Sequence, residues 1–353
     1  MNKLQSTEIV SFEKIENELN ISRITAIWAF SESAFGGILH ALTVPLRGVF
    51  ISSAAVLFIS LIALFSKSNR EILKATVIVI VIKAIISPYT PLTAYLAVSL
   101  QGFLGFIFFS TKKFYKISAF IFGMMVLFFS GIQKIVVLTI LFGNTLWESL
   151  DIFVKQLSIE IFNINHPEIN YGYLIVVTYV LLHLIAGIFI GLYAGNLPKK
   201  LDYHKNHIPS FINLNLKNVE EIPRKEKREK KSWFLRPTGI FVIALSIGVI
   251  TLSYFSPQLE ENVAISVVIM LTRSLVITVL WFAIIAPIVK KYFKKFIAKR
   301  KSEYSKDLNL IISMFSQFKE IVNFCWKLSG NKKGYKRIRY FLSTSFYYLL
   351  LSD

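Results

Sequence analysis

The sequence predicts an all-α membrane protein, with a six-helix bundle, two further transmembrane helices and cytoplasmic amphipathic helices. Three observations predict this class. Of the 353 residues, 54% are hydrophobic and only 17% are charged, whereas soluble domains are about 45–50% apolar and about 25% charged. The 40 Lys and Arg outnumber the 21 Asp and Glu, which gives a net charge of +19. Eight apolar stretches approach the roughly 20 residues that a spanning helix needs.

The eight predicted spans follow one another along residues 24–44, 48–65, 72–87, 92–110, 117–142, 171–194, 237–255 and 264–289. Residues 1–22 are acidic and lack the basic-then-apolar pattern of a signal peptide. We therefore predict a cytoplasmic segment, a membrane domain, a polar cytoplasmic linker, two added spans and a basic amphipathic cytoplasmic tail. Their bounds are 1–22, 23–195, 196–236, 237–289 and 290–353.

Basic residues collect in alternate connections, which predicts the orientation of the chain. The basic segments are 66–71, 111–116, 196–236 and 290–301, and the intervening ones are 43–47, 87–91, 143–170 and 256–263. Because Lys and Arg are retained on the cytoplasmic side, we expect both termini in the cytoplasm. The expected location is the inner membrane of a bacterium. The single Cys325 permits no internal disulfide.

Two further segments show helical amphipathicity. Residues 145–162 place apolar side chains on one helical face, which predicts a helix lying flat on the outer surface; a re-entrant element is the alternative. In the tail, apolar residues recur at helical spacing between Leu308 and Trp326. The last apolar run, 340–351, is too short to span a bilayer. We expect this tail to lie on the membrane or on a partner.

Polar side chains inside the spans are the candidate binding residues, because such groups usually face protein or a water-filled cavity. The predicted substrate-binding residues are Lys83, Gln101, Gln133, Lys134, His40 and Glu32. Together they suggest a polar cavity open to the outside. An anionic group on the ligand would be favoured if Lys83 and Lys134 both face that cavity.

Each candidate also has a purely structural interpretation. Lys83 could snorkel to the headgroups, and Glu32 could neutralise a lysine within the bundle. His40 and His183 could be hydrogen-bonded residues of the core, and Gln101 and Gln133 could join neighbouring helices. No close-spaced ligand motif supports a metal site at Glu32, His40 and His183, so no metal or cofactor is predicted.

The first span also carries a ladder of small residues: Ala29, Ser33, Gly37 and Ala41 recur every four positions. Small residues let another helix approach closely. The neighbouring helix could belong to the same chain or to a separate membrane subunit.

Two stretches carry a resemblance to a known family. Residues Trp28 to His40 read WAFSESAFGGILH, and Ser87 to Gly102 read SPYTPLTAYLAVSLQG. They resemble the first helix, and the third loop with the fourth helix, of the substrate-binding S components of energy-coupling-factor (ECF) transporters. The resemblance covers about residues 23–195. It implies capture of a micronutrient from outside, with a separate membrane coupling subunit and two cytoplasmic ATPases as partners. The small-residue ladder would face the coupling subunit.

The sequence departs from that family in two ways. Its members usually end after six helices, so residues 196–353 are additional. Asn2 stands where the cobalt and nickel members have an N-terminal His, and no motif identifies a vitamin. The additional part could contribute a fragment of coupling function, with Arg337 and Arg339 in a segment suited to docking, or it could be a membrane-surface or regulatory module.

Several activities are disfavoured by missing motifs. The chain has no G-x-x-x-x-G-K-[ST] phosphate loop, no G-x-S-x-G and no H-E-x-x-H. We therefore expect a non-enzymatic component that binds a small polar or vitamin-like solute for uptake, energised by separate ATPases. One alternative is a membrane enzyme acting on lipid or isoprenoid, with Glu32 and His183 as acid and base. Another is a scaffold or sensor that recruits a cytoplasmic partner. Membrane lipid is an expected partner, and nucleic acid is not.

Overall fold

The protein is helical throughout the described part of the chain. The computed structural model describes residues 20–37, 46–87, 90–163, 168–205 and 261–351, and no strand occurs in these ranges. We label the helix over 20–37 α1. The later helices are α2 (Arg47–Phe65), α3 (Arg70–Ile86), α4 (Leu92–Phe108), α5 (Tyr115–Phe142), α6 (Thr145–Phe162), α7 (Tyr171–Gly195), α8 (Leu197–Lys205), α9 (Glu261–Leu280), α10 (Ala286–Glu303), α11 (Ser305–Leu328) and α12 (Gly334–Leu351).

Six described helices coincide with the first six predicted spans, and α6 coincides with the predicted amphipathic segment 145–162. Three of them are long and apolar enough to cross a membrane, namely α2, α5 and α7. The helix α4 is apolar but shorter. These features indicate a membrane-embedded protein. The predicted span 237–255 and most of the predicted linker lie outside the described residues.

Helix α7 illustrates why a lipid environment is required. Large apolar side chains on this helix are exposed, among them Leu181, Ile185 and Phe189. Exposing a contiguous apolar surface of this kind to water is unfavourable. The exposed side chains are therefore matched to hydrocarbon, not to water.

The fold consists of two compact units. The first contains the described residues of Met1–Gln133, Tyr179–Val219 and Tyr292–Asp353, and the second those of Lys134–Thr178 and Glu220–Lys291. Within the first unit, α3 and α4 form a close antiparallel hairpin. A Cβ at Gly102 would collide with Thr76, and one at Gly105 would collide with Ile59. Glycine at these two positions lets α4 approach its neighbours closely.

A second close contact in the first unit joins α5 to α7. A Cβ on Gly123 would lie 2.6 Å from the Cα of Gly191 and 2.8 Å from the carbonyl oxygen of Gly187. One helical turn before Gly187, the ring of His183 on α7 packs against Gly131 of α5. The backbones of α5 and α7 are therefore in direct contact at Gly123, Gly187 and Gly191, which only glycine permits. We call this contact the α5–α7 seam.

The basic tail packs on the bundle of the first unit. Leu308, Ile311 and Met314 of α11 are buried in the same apolar core as the helices of the bundle. Phe315 meets Phe30 of α1 edge to face, with ring centroids 5.8 Å apart. Lys74 of α3 pairs with Asp307 at 3.2 Å. The partner that the amphipathic tail was expected to find is thus, in part, its own chain.

Helix α10 lies along the α3–α4 hairpin. Phe293 contacts Tyr95 at the start of α4, with ring centroids 4.6 Å apart, and α11 begins beside Lys74 near the start of α3. The predicted order of spans places Tyr95 on the outer side and residues 290–301 in the cytoplasm. It is therefore incompatible with the contact between Tyr95 and Phe293. A prediction from the basic residues alone does not detect the apolar face of α10, whose Phe293 and Ile297 pack on the core.

In the second unit, α6 caps the start of α7. The Asp151 carboxylate accepts a hydrogen bond from the backbone N–H of Tyr171 at 2.6 Å and from the Lys155 ammonium at 2.8 Å. These bonds, that of Lys155 first, lower the pKa of Asp151 because they favour its charged form. A Cβ on Gly172 would collide with the Trp147 carbonyl. Helix α6 is confirmed, whereas its depth in the bilayer stays a prediction.

Candidate functional site

The candidate site is built around an irregular turn in α1. Residues Ser31–Phe35 form a π-helical turn that packs against α2 and α3. Single π turns inside α-helices are uncommon and occur frequently at functional sites. This one contains Glu32, whose Oε2 lies 2.7 Å from the Nζ of Lys83 on α3. Both side chains are buried, so the bundle encloses an ion pair.

Several polar atoms beside this ion pair are left without a hydrogen bond. Among the described residues, Glu32 Oε1, the indole N–H of Trp28 and the hydroxyl of Ser33 are buried with no partner. Trp28 and Glu32 are four residues apart on the same helix and therefore share a face. Buried polar groups are normally satisfied, and exceptions often mark a place for water, an ion or a ligand. The turn thus offers both donors and an acceptor.

A second polar group lies on α4 and α5. The amide of Gln101 donates to the Ser52 hydroxyl at 3.2 Å, while its Oε1 is buried without a partner. The amide of Gln133 donates to the carbonyl of Thr93 at 3.0 Å. Both glutamines line one cleft, in which the space that a water-sized sphere can occupy is about 10 Å³. Its other walls are Ala97, Leu100, Leu104, Val126, Phe129 and Ser130.

This cleft sets limits on what the site holds. A space of that size holds about one water molecule, whereas pockets for drug-sized ligands usually measure about 300–1,000 Å³, so a solute enters only if the side chains that line the cleft move apart. Its apolar walls and two amides suit a hydrogen-bonding solute without net charge. Lys83 is neutralised by Glu32, and Lys134 is exposed. The condition that would have favoured an anionic ligand, both lysines facing one cavity, is therefore not met.

The predicted binding residues thus fall into distinct places. Glu32 forms an ion pair with Lys83, and Gln101 and Gln133 line the same cleft. Lys134 lies in the second unit, and His40 lies outside the described residues. His183 is buried in the α5–α7 seam, where its Nδ1 lies 2.9 Å from the carbonyl oxygen of Tyr179. That placement corresponds to the structural interpretation of His183.

The small-residue ladder of α1 is divided in the same way. Ala29 and Ser33 are buried within the first unit, so part of the ladder is covered by the chain itself. Gly37 is exposed, with open space where a Cβ would stand. Ala41 lies outside the described residues. Contact of this ladder with a separate subunit stays a prediction.

Sequence reasoning missed two members of the site. Trp28 belongs to the family-like stretch and gives no binding signal by itself, although its spacing of four from Glu32 places it on the same helical face. Ser52 is a lone hydroxyl in an apolar span, and such residues often serve as partners for amides on neighbouring helices. The spacing of apolar residues in the sequence gives no indication of the π turn at Ser31–Phe35.

No group of three His, Cys, Asp or Glu side chains within the described ranges is arranged to hold a metal ion. Comparison with known proteins adds no assignment, since no family model, curated protein or solved structure matches this chain.

Proposed function

We propose that the chain is an integral membrane protein that captures a small hydrogen-bonding solute for uptake and carries out no chemistry itself. The observation that carries the proposal is the cleft between α4 and α5, which Gln101 and Gln133 both line inside an apolar bundle. A buried amide oxygen without a partner, that of Gln101, is suited to accept a hydrogen bond from a ligand. A vitamin-like micronutrient is the proposed substrate class, and its binding requires α4 and α5 to separate beyond the present width of the cleft.

The resemblance to ECF S components supports the same proposal. It suggests that a membrane coupling subunit and cytoplasmic ATPases supply the energy, in the inner membrane of a bacterium. Six spans within residues 23–195 belong to this proposal as well, whereas the contact of Phe293 with Tyr95 leaves the predicted crossing of residues 264–289 out of it. In it, α1, α3 and α4 also cross the bilayer, and the Glu32–Lys83 pair makes two charges tolerable there.

A binding experiment tests the proposal. The full chain would be purified in mild detergent and examined by native mass spectrometry for a co-purifying small molecule. The variant Gln101→Leu should lose that molecule, because the apolar side chain cannot accept its hydrogen bond. One lost hydrogen bond to a buried partner corresponds to roughly a 5- to 150-fold loss of affinity.

The matched control is Gln156→Leu, which changes an exposed glutamine of α6 and should retain the molecule. Thermal unfolding of both variants shows whether each is folded. A small molecule retained equally by Gln101→Leu would overturn the assignment of the cleft. A wild-type protein that carries no small molecule, and is not stabilised by any member of a panel of water-soluble vitamins, would overturn the proposal of solute capture.

A further inference from the structure

The end of the tail carries a surface that the uptake proposal does not use. Between Trp326 and Leu351 the sequence has six Lys and Arg and no Asp or Glu. Large apolar side chains stand exposed in the same stretch: Tyr335 is 77% exposed, Ile338 51% and Leu342 59%. Exposed apolar side chains that lie together on one surface mark a contact with a partner or a membrane.

These side chains form one stripe on α12. Tyr335, Ile338 and Leu342 are three and four residues apart, so they share a helical face. Trp326 of α11 extends the stripe. Its ring centroid lies 5.1 Å from that of Phe341, and the Cζ of Arg337 lies 4.1 Å from the centroid of the indole ring. Exposed basic residues flank it, namely Lys332, Lys333, Lys336 and Arg339. We call this surface the basic–aromatic patch.

The opposite end of α12 is fixed to the bundle near the end of a candidate spanning helix. Tyr347 lies beside Tyr193 of α7, two residues before that helix ends. Tyr347 and Leu350 share the apolar core with Leu197 and Leu201 of α8. The patch is therefore tethered within roughly 18 Å of the place where α7 ends, at a rise of about 1.5 Å per residue.

We propose that the basic–aromatic patch binds the anionic phospholipid surface of the membrane in which the chain is embedded. The apolar stripe supplies side chains that enter the headgroup region, where Trp and Tyr are favoured. The flanking lysines and arginine supply charge complementary to phosphatidylglycerol or a similar lipid. The tail is thereby held on the leaflet at one end and on the first unit at the other, which makes its docking sensitive to lipid composition.

Hydrogen exchange in reconstituted membranes tests this. The full chain would be placed in vesicles of phosphatidylcholine alone, or of phosphatidylcholine and phosphatidylglycerol at a 7:3 ratio. We expect residues 326–343 to exchange more slowly in the mixed vesicles, and the difference to shrink as salt is raised because screening shortens the range of the attraction.

The variant Lys332→Gln, Lys333→Gln, Lys336→Gln should lose this difference, since each basic residue favours the bound state roughly five-fold. The control Lys290→Gln, Lys291→Gln, Lys294→Gln removes the same charge from exposed positions on α10 and should keep it. A second variant, Leu342→Ser, should exchange faster in both kinds of vesicle.

Equal exchange of residues 326–343 in the two vesicles would overturn the proposal. So would protection that appears only when soluble proteins of the host are added, since the patch would then bind a protein. Full protection by free glycerol phosphate without anionic vesicles would likewise exclude a membrane surface as the ligand.

Discussion

The Glu32–Lys83 pair illustrates how a bundle tolerates charge. Its side chains are 2% and 7% exposed, so both ions have lost their hydration. For such a pair the loss of hydration roughly cancels the attraction, and the net stabilisation is small. The pair is therefore poorly explained as a source of stability. Its Glu32 lies in a π turn beside buried polar atoms without partners, where water or an ion can be accommodated.

Removing one member of the pair should be far more harmful than removing both. We predict that Lys83→Met lowers the free energy of unfolding by about 3–5 kcal/mol, because Glu32 becomes an uncompensated buried charge. The double variant Glu32→Gln, Lys83→Met should recover most of that loss. Reversible unfolding in SDS measures both. The half-exposed pair formed by Lys74 and Asp307 is the control, and Lys74→Met should cost about 1 kcal/mol or less.

A different result would change the interpretation of the site. If Lys83→Met were as mild as Lys74→Met, the Glu32 carboxylate would either be reached by water or take up a proton. If the double variant cost as much as the sum of Lys83→Met and Glu32→Gln, the two side chains would contribute independently.

At the scale of elements, the packing of helices depends on where glycine meets glycine. The predicted small-residue ladder lies on α1, yet a close approach of backbones joins α5 to α7, at Gly123, Gly187 and Gly191. These glycines were visible in the sequence. Small residues indicate that a helix approaches, but they do not identify the helix, because every glycine face in a bundle is compatible with several neighbours.

The seam can be tested with a pair of identical substitutions. We predict that Gly123→Ala lowers the free energy of unfolding by about 1–3 kcal/mol, because the added methyl group forces α5 and α7 apart. Gly37→Ala adds the same methyl group where nothing lies within 4 Å. That change should be neutral or stabilise α1 by up to about 1 kcal/mol. Thermal unfolding in detergent compares them, and equal effects would exclude a tight seam at Gly123.

At the scale of the whole molecule, local pattern predicted most helices and little of their arrangement. Apolar length located α2, α5 and α7 within a few residues, and amphipathic spacing located α6. Both signals are local in sequence. The docking of α11 on the bundle joins Phe315 to Phe30 across nearly 300 residues, and no periodicity carries that information. The sequence likewise does not reveal which polar side chains pair with each other. Glu32 and Lys83 were both candidate binding residues, but only the fold shows that they form an ion pair.

The shared core makes a final prediction about the tail. Ile311 is 1% exposed and its neighbour Ile312 is 37% exposed, so the two positions test burial with the same chemical change. Ile311→Ala should cost about 2–5 kcal/mol, because it removes buried methyl groups and leaves a cavity, whereas Ile312→Ala should cost much less. Since α11 and α3 belong to one core, Ile311→Ala should also speed hydrogen exchange in residues 72–83 of α3. Faster exchange confined to the tail would mean that the tail unfolds separately from the bundle, and the docking described here would not contribute to the stability of the membrane domain.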